Sequence, residues 1–117
     1  MPGFLGRIAV RIGEPPSILP VIYTMLDNDI VFRADPGTKL SAASMKTLVA
    51  FEIDEADPLT RTGWSVLVIG YSEVIRDQPT IQRVAALELE PWIDGGRDQI
   101  VRIRPRNISG RRIPTTH

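Results

Sequence analysis

Chemistry in this chain starts at Arg33-Ala34-Asp35-Pro36-Gly37-Thr38-Lys39-Leu40, where two cations and a hydroxyl crowd one short turn between a β-like run and an alanine-rich stretch. Free N–H groups at a helix start bind anions, and Arg33 and Lys39 would add charge-assisted hydrogen bonds to a phosphate. An ordinary surface turn beside two solvated cations has the same composition, so the residues leave both readings open. Two tryptophans offer flat walls for a ring: Trp64, beside Ser65, and Trp92, in Glu90-Pro91-Trp92-Ile93-Asp94-Gly95-Gly96-Arg97. Both also suit core or interface packing. Asp54-Glu55-Ala56-Asp57 reads as a solvated acidic loop, with a weak divalent-ion site as its other reading.

The absent residue types exclude several chemistries. With no cysteine, the chain has no disulfide, thiolate nucleophile or cysteine-ligated metal, which fits a reducing cytoplasm. Its one histidine is the last residue, His117, so a Ser-His-Asp triad and a multi-histidine metal site have no material. Fourteen basic and fourteen acidic residues balance to zero net charge, and 43% of the 117 residues are hydrophobic. A single soluble domain follows, 1–117, with no signal peptide at Met1 to Leu5 and no apolar run long enough for a membrane helix.

Periodicity predicts the elements that must position these groups. Gly6 to Ile12 alternates as a first strand, and Gly13-Glu14-Pro15-Pro16 supplies a turn. Ile18 to Leu26 is a second strand in which Pro20, lacking an N–H, marks an edge or bulge and leaves nearby backbone open to a ligand. Asp27-Asn28-Asp29 is a tight turn into a third strand, Ile30 to Ala34, and a short helix runs from Leu40 to Lys46. Thr47 to Ile53 returns to strand. After the acidic loop, Trp64 to Ile69 is apolar at almost every position, the pattern of a strand buried on both faces. Asp77-Gln78-Pro79 caps a second helix carrying Ile81, Val84, Ala85 and Leu89, and Gln99 to Arg104 is a last long strand, with one more predicted over 106–113. The order β-β-β-α-β-β-α-β, with too few crossover helices for a parallel sheet, is a mainly β fold: a small antiparallel barrel with two short helices.

Four stretches in this order resemble the pyridoxamine 5'-phosphate oxidase-related, FMN-binding split-barrel proteins. They are Leu19-Pro20-Val21-Ile22-Tyr23, Ile30-Val31-Phe32-Arg33 through Pro36-Gly37-Thr38-Lys39-Leu40, Arg61-Thr62-Gly63-Trp64-Ser65-Val66, and Trp92 through Arg97 to Val101-Arg102-Ile103-Arg104-Pro105. The resemblance implies a homodimer with FMN at its interface and a small-molecule substrate. The backbone of Val21, Ile22 and Tyr23 would line the isoalloxazine, Arg33, Thr38 and Lys39 would hold the phosphate, Trp64 and Ser65 would flank the cofactor, and Trp92 and Arg97 would reach across the interface. Vitamin B6 oxidases of this kind carry an Arg-x-His-x-Arg-like signature on the last strand, whereas Val101-Arg102-Ile103-Arg104 has no histidine. Relatives commonly place a helix before the first strand, and here Gly6-Arg7-Ile8 comes almost at once. The expected function is an FMN-dependent oxidoreductase. A non-catalytic protein that binds or senses a flavin, deazaflavin or haem is the alternative. Nucleic acid is a poorer partner: six arginines lie in the last 21 residues, but no aromatic accompanies them after residue 97.

Overall fold

The computed structural model describes residues 4–10, 16–34, 47–86 and 99–113. Six antiparallel strands, β1 (Phe4–Val10), β2 (Ser17–Leu26), β3 (Asp29–Ala34), β4 (Thr47–Asp57), β5 (Thr62–Val74) and β6 (Gln99–Ile113), close into a barrel in the order β1-β2-β3-β6-β5-β4. One helix, α1 (Gln78–Ala86), lies among the described residues. The helix expected over Leu40 to Lys46 falls outside them, as does Leu89.

Local chemistry explains the joins. Asp27 and Asn28 have φ of 52° and 70°, and Leu26 pairs with Asp29, so two left-handed residues make the β2–β3 hairpin turn and Asp29 already belongs to the strand. Asp77 caps α1, accepting a hydrogen bond from the Thr80 amide at 3.1 Å and another from the Thr80 hydroxyl. Val84 is buried on the helix and Ala85 is exposed, so the expected apolar face is narrower. Arg83 reaches back to clasp the Asp27 carboxylate at 2.7 and 2.9 Å, tying α1 to the hairpin turn.

Alternation sorts the strands into two packing layers. Inside the barrel, Ile8, Val21, Phe32, Phe51, Val68, Val101 and Ile103 form the core, with Tyr23 edge-on to Phe51 at 5.1 Å. Outside, Val31 of β3 is covered by Ile75 and Val84, with Ile81 and Ile100 packed around them. The helix therefore shields the β3 side of the barrel.

Four sequence expectations are corrected. The first strand begins at Phe4, ahead of Gly6, while Arg11 and Ile12 fall outside the described residues. Residues Asp54 to Asp57 are strand, because β4 stays paired with β5 as far as Asp57↔Thr62, and the turn is confined to 58–61. Cross-strand pairing overrides the low β-propensity of these acids. Residues 106–113 are no separate strand: β6 runs unbroken past a register shift, where Ile69 faces Asn107 and Gly70 faces Pro105, leaving Arg106 as the extra residue of a bulge. Finally, Trp64 to Ile69 is not buried on both faces by its own chain. Val68 points into the core at 4% exposure, whereas Trp64 and Leu67 are each 42% exposed.

Beyond Ile53, β4, β5 and β6 project past the barrel as a three-stranded arm, since β1 pairs with β4 only from Arg7↔Glu52 to Ala9↔Ala50. Molecular extents of 52 × 35 × 27 Å reflect that arm.

Candidate functional site

The barrel is split between β2 and β3. Their pairing spans only Tyr23↔Phe32 to Leu26↔Asp29, so Ser17–Ile22 has β1 on one side and, among the described residues, no strand on the other. Pro20 stands in this stretch, as its missing donor requires. Val21 and Tyr23 turn their side chains into the core at 6% and 7% exposure, and burial pushes the Tyr23 phenol up from its ordinary pKa. What they present outward is backbone. Ile22 points to the outer surface, opposite Leu5, and is half-buried.

Arg33 lies next to the last residue of β3, paired with Ile100 and half-buried. Antiparallel geometry puts it level with the open β2 edge, on the same outer face as Ile22. Thr38 and Lys39 follow a few residues on but lie outside the described residues, as do Trp92 and Arg97. An apolar side chain, strand amides and a guanidinium thus meet at the split. These are groups that suit one side of a flat heterocycle bearing a phosphate.

Trp64 and Ser65 are elsewhere. They pair with Arg112 and Arg111 of β6, whereas Arg33 pairs with Ile100, so ~35 Å of strand separates them at about 3.3 Å per residue. A single chain does not bring these expected site residues together.

Between the two ends sits a charge cluster that sequence reasoning missed. The Glu73 carboxylate accepts hydrogen bonds from Arg102 Nε at 2.7 Å and Arg104 Nε at 3.0 Å, and Arg102 also stands 4.0 Å from Asp29. Burial raises the Glu73 pKa, but the hydrogen bond and charge of Arg102, with those of Arg104, outweigh it and leave the group below its ordinary value. At Asp29 burial prevails over the same two arginines, and its pKa is raised. Alternation on β6 was the available signal for Arg102 and Arg104 sharing a face, but their partner on β5 was not readable. Among the described residues no cluster of metal-ligating side chains occurs, and no helix is long and apolar enough to cross a membrane.

Residues 2–112 match the pyridoxamine 5'-phosphate oxidase family. The chain belongs to that family. The uncharacterized protein Rv0080 of Mycobacterium tuberculosis is 34% identical over 113 residues, covering 92% of this chain and 74% of that protein. The FAD binding protein from Mycobacterium smegmatis superposes with a TM-score of 0.85 at 33% identity, covering 96% of this chain and 87% of that one. A FAD-binding protein from Mesorhizobium loti gives 0.71 at 26%, covering 92% and 85%. The mainly β antiparallel barrel expected from the sequence is therefore the split barrel of a pyridoxamine 5'-phosphate oxidase-like family.

Proposed function

We propose that this chain is an FMN-dependent oxidoreductase that works as a homodimer, taking FMN either free or as the flavin half of FAD. The observation that carries the reading is Arg33 at the end of β3, level with the open Ser17–Ile22 edge of β2. Arg33, Thr38 and Lys39 hold the phosphate, while the backbone of Val21, Ile22 and Tyr23 lines the ring. Because ~35 Å of strand lies between Arg33 and the Trp64–Ser65 pair in one chain, this reading gives the other wall to a second copy: the partner's Trp64, Ser65, Trp92 and Arg97. A flavin supplies hydride or electron transfer itself, and the protein's part is to orient it, exclude water and tune it. The names of two similar structures, both FAD binding, support a flavin over haem or deazaflavin.

The test is flavin titration of the purified protein. Flavin absorption bands that shift on binding are expected, and a Soret band would instead mean haem. Arg33→Ala or Lys39→Ala should weaken FMN about ten- to a hundredfold, because a charge-assisted hydrogen bond contributes roughly 1.5 to 3 kcal/mol. Riboflavin, which has no phosphate, should lose far less. Equal losses for both ligands would remove the phosphate site, and bound flavin that passes electrons no faster than free flavin would make the chain a carrier.

A further inference from the structure

Past Ile103, β6 keeps β5 on one side and, among the described residues, has no strand on the other, because its pairing with β3 ends at Ile30↔Ile103 while its pairing with β5 continues to Gly63↔Ile113. Pro105 and the Arg106 bulge blunt the start of that edge, as proline and bulges do on strand edges. Neither device recurs over 107–113, a stretch in unbroken register with β5 that spans ~20 Å at about 3.3 Å per residue. Alternate N–H and C=O groups there point away from β5 and form a template for an added strand. Arg111 lies on the outer face of the arm and Arg112 on the inner, both exposed and neither with a hydrogen bond or ion pair among the described residues. The acids of β4 do not neutralise them: Asp54 is held by Arg7 at 3.4 Å, and Glu55 stands two strand spacings, ~10 Å, from Arg112. Gly110 beside them is not demanded by its own chain. A Cβ there would meet nothing nearer than the Ser65 carbonyl at 3.7 Å, whereas at Gly6 and Gly70 it would strike the Phe51 ring and the Arg104 carbonyl. A strand glycine with open space around it leaves room for another chain to approach.

We propose that the 107–113 edge of β6 is a docking edge for an extended acidic segment of another protein, which adds to it as an antiparallel strand. Opposite Arg112 and Arg111 that segment carries two adjacent carboxylates, and three residues further on it places an apolar side chain opposite Ile108, which is 66% exposed. Backbone hydrogen bonds supply the pairing, and the two arginines, one on each face, set charge preference and register. A second copy fits less well. Its β6 edge would bring like charges together, and its acidic β4 edge would meet β6 only head to tail, which grows into a ring or a filament. None of the docking groups belongs to the flavin site proposed above.

Anisotropy titration of the full chain against a fluorescein-labelled peptide, Thr-Glu-Glu-Thr-Thr-Val-Thr, tests it. Saturable binding below about 1 mM is expected, weakened about tenfold or more in the double variant Arg111→Glu/Arg112→Glu. That variant should instead prefer Thr-Lys-Lys-Thr-Thr-Val-Thr, a reversal that a damaged arm cannot give. N-methylation of one alternate set of peptide amides should abolish binding and of the other set should leave it, because only every second N–H of an added strand faces β6. No binding by the wild type, or equal affinity in the double variant, would overturn the docking edge. Equal binding of both N-methylated peptides would also overturn it, leaving charge attraction without strand pairing. Two other occupants would do the same: an oligothymidylate that binds more tightly than the peptide, or a second copy, shown by rings or filaments of the free protein that the double variant disperses.

Discussion

Residue by residue, the arginines of β6 are structural before they are anything else. Arg102 and Arg104 both donate to Glu73, so the strand on which vitamin B6 oxidases carry their Arg-x-His-x-Arg-like signature here spends its cations on an internal carboxylate. No histidine stands beside them. Saturated with FMN, the protein should therefore form pyridoxal phosphate from pyridoxamine phosphate no faster than free FMN does; a clear rate above that background would contradict the assignment. The same cluster should show in stability. A carboxyl whose folded pKa is depressed stabilises above its unfolded pKa and loses that contribution as pH falls through the folded pKa. Glu73 is such a group, so Glu73→Gln should lower the urea midpoint at neutral pH and converge with wild type well below the carboxylate range. Asp29 has the opposite sign: its raised pKa makes its ionisation unfavourable to folding, and Asp29→Asn should gain stability as pH rises through that range. A Glu73→Gln deficit that persisted unchanged into acid would show that Glu73 acts through packing alone.

Among the elements, the β5–β6 pair organises the molecule, and its bulge is where backbone chemistry dictates residue type. Gly70 faces Pro105, and a Cβ at Gly70 would run into the Arg104 carbonyl, a backbone atom that cannot swing away. At Gly6 the obstacle would be the Phe51 ring, which fills the core beneath it. Overpacking costs about 1–3 kcal/mol. Gly70→Ala should sit at or beyond the upper end and also disturb β5–β6 amide protection in hydrogen exchange, whereas Gly6→Ala should shift stability and leave that protection unchanged. The hairpin turn, the strand edge at Pro20, the Asp77 cap and most of the strands were legible from the sequence, because each rests on a local rule: left-handed turn residues, a missing donor, period-two alternation. What was not legible depends on partners distant in the chain. Asp54 to Asp57 has a loop's composition and becomes strand only because β5 lies alongside, and Arg106 becomes a bulge only through the register of Ile69 and Gly70. The candidate site was half legible. Arg33 and the β2 edge do meet, but no sequence pattern reveals that Trp64 and Ser65 stand at the far end of the strand that pairs with Arg33.

At the scale of the whole molecule, the barrel wears unequal covers. Helix α1 shields the β3 side, while on the β1, β4 and β5 side a row of Ile18, Ala9, Ala50 and Ile69 crosses four strands, flanked by Leu48 and Tyr71 at 50% and 48% exposure. Leu67 joins this face, and among the described residues nothing covers it. An apolar face of this kind marks an interface, and a two-fold pair burying on the order of 2,000 Å² would use it twice. Light scattering should report a dimer at micromolar concentration, and Leu67→Glu, a change on an already exposed position, should give a folded monomer. If Leu67→Glu stays dimeric, the interface lies elsewhere. Such a dimer would also let groups ~35 Å apart along β6 serve one ligand, because a two-fold axis would bring the Arg33 end of one chain to the Trp64 end of the other. Arg33→Ala and Trp64→Ala each damage both sites of their own homodimer, yet a mixed dimer holds one site with both residues intact and one with neither. Random assortment after mixing and reannealing should therefore restore tight flavin binding at about a quarter of all sites, as counted by stoichiometric titration. If each site is built within one chain, every site in the mixture carries one lesion and no tight binding returns, so the recovered fraction separates the two architectures.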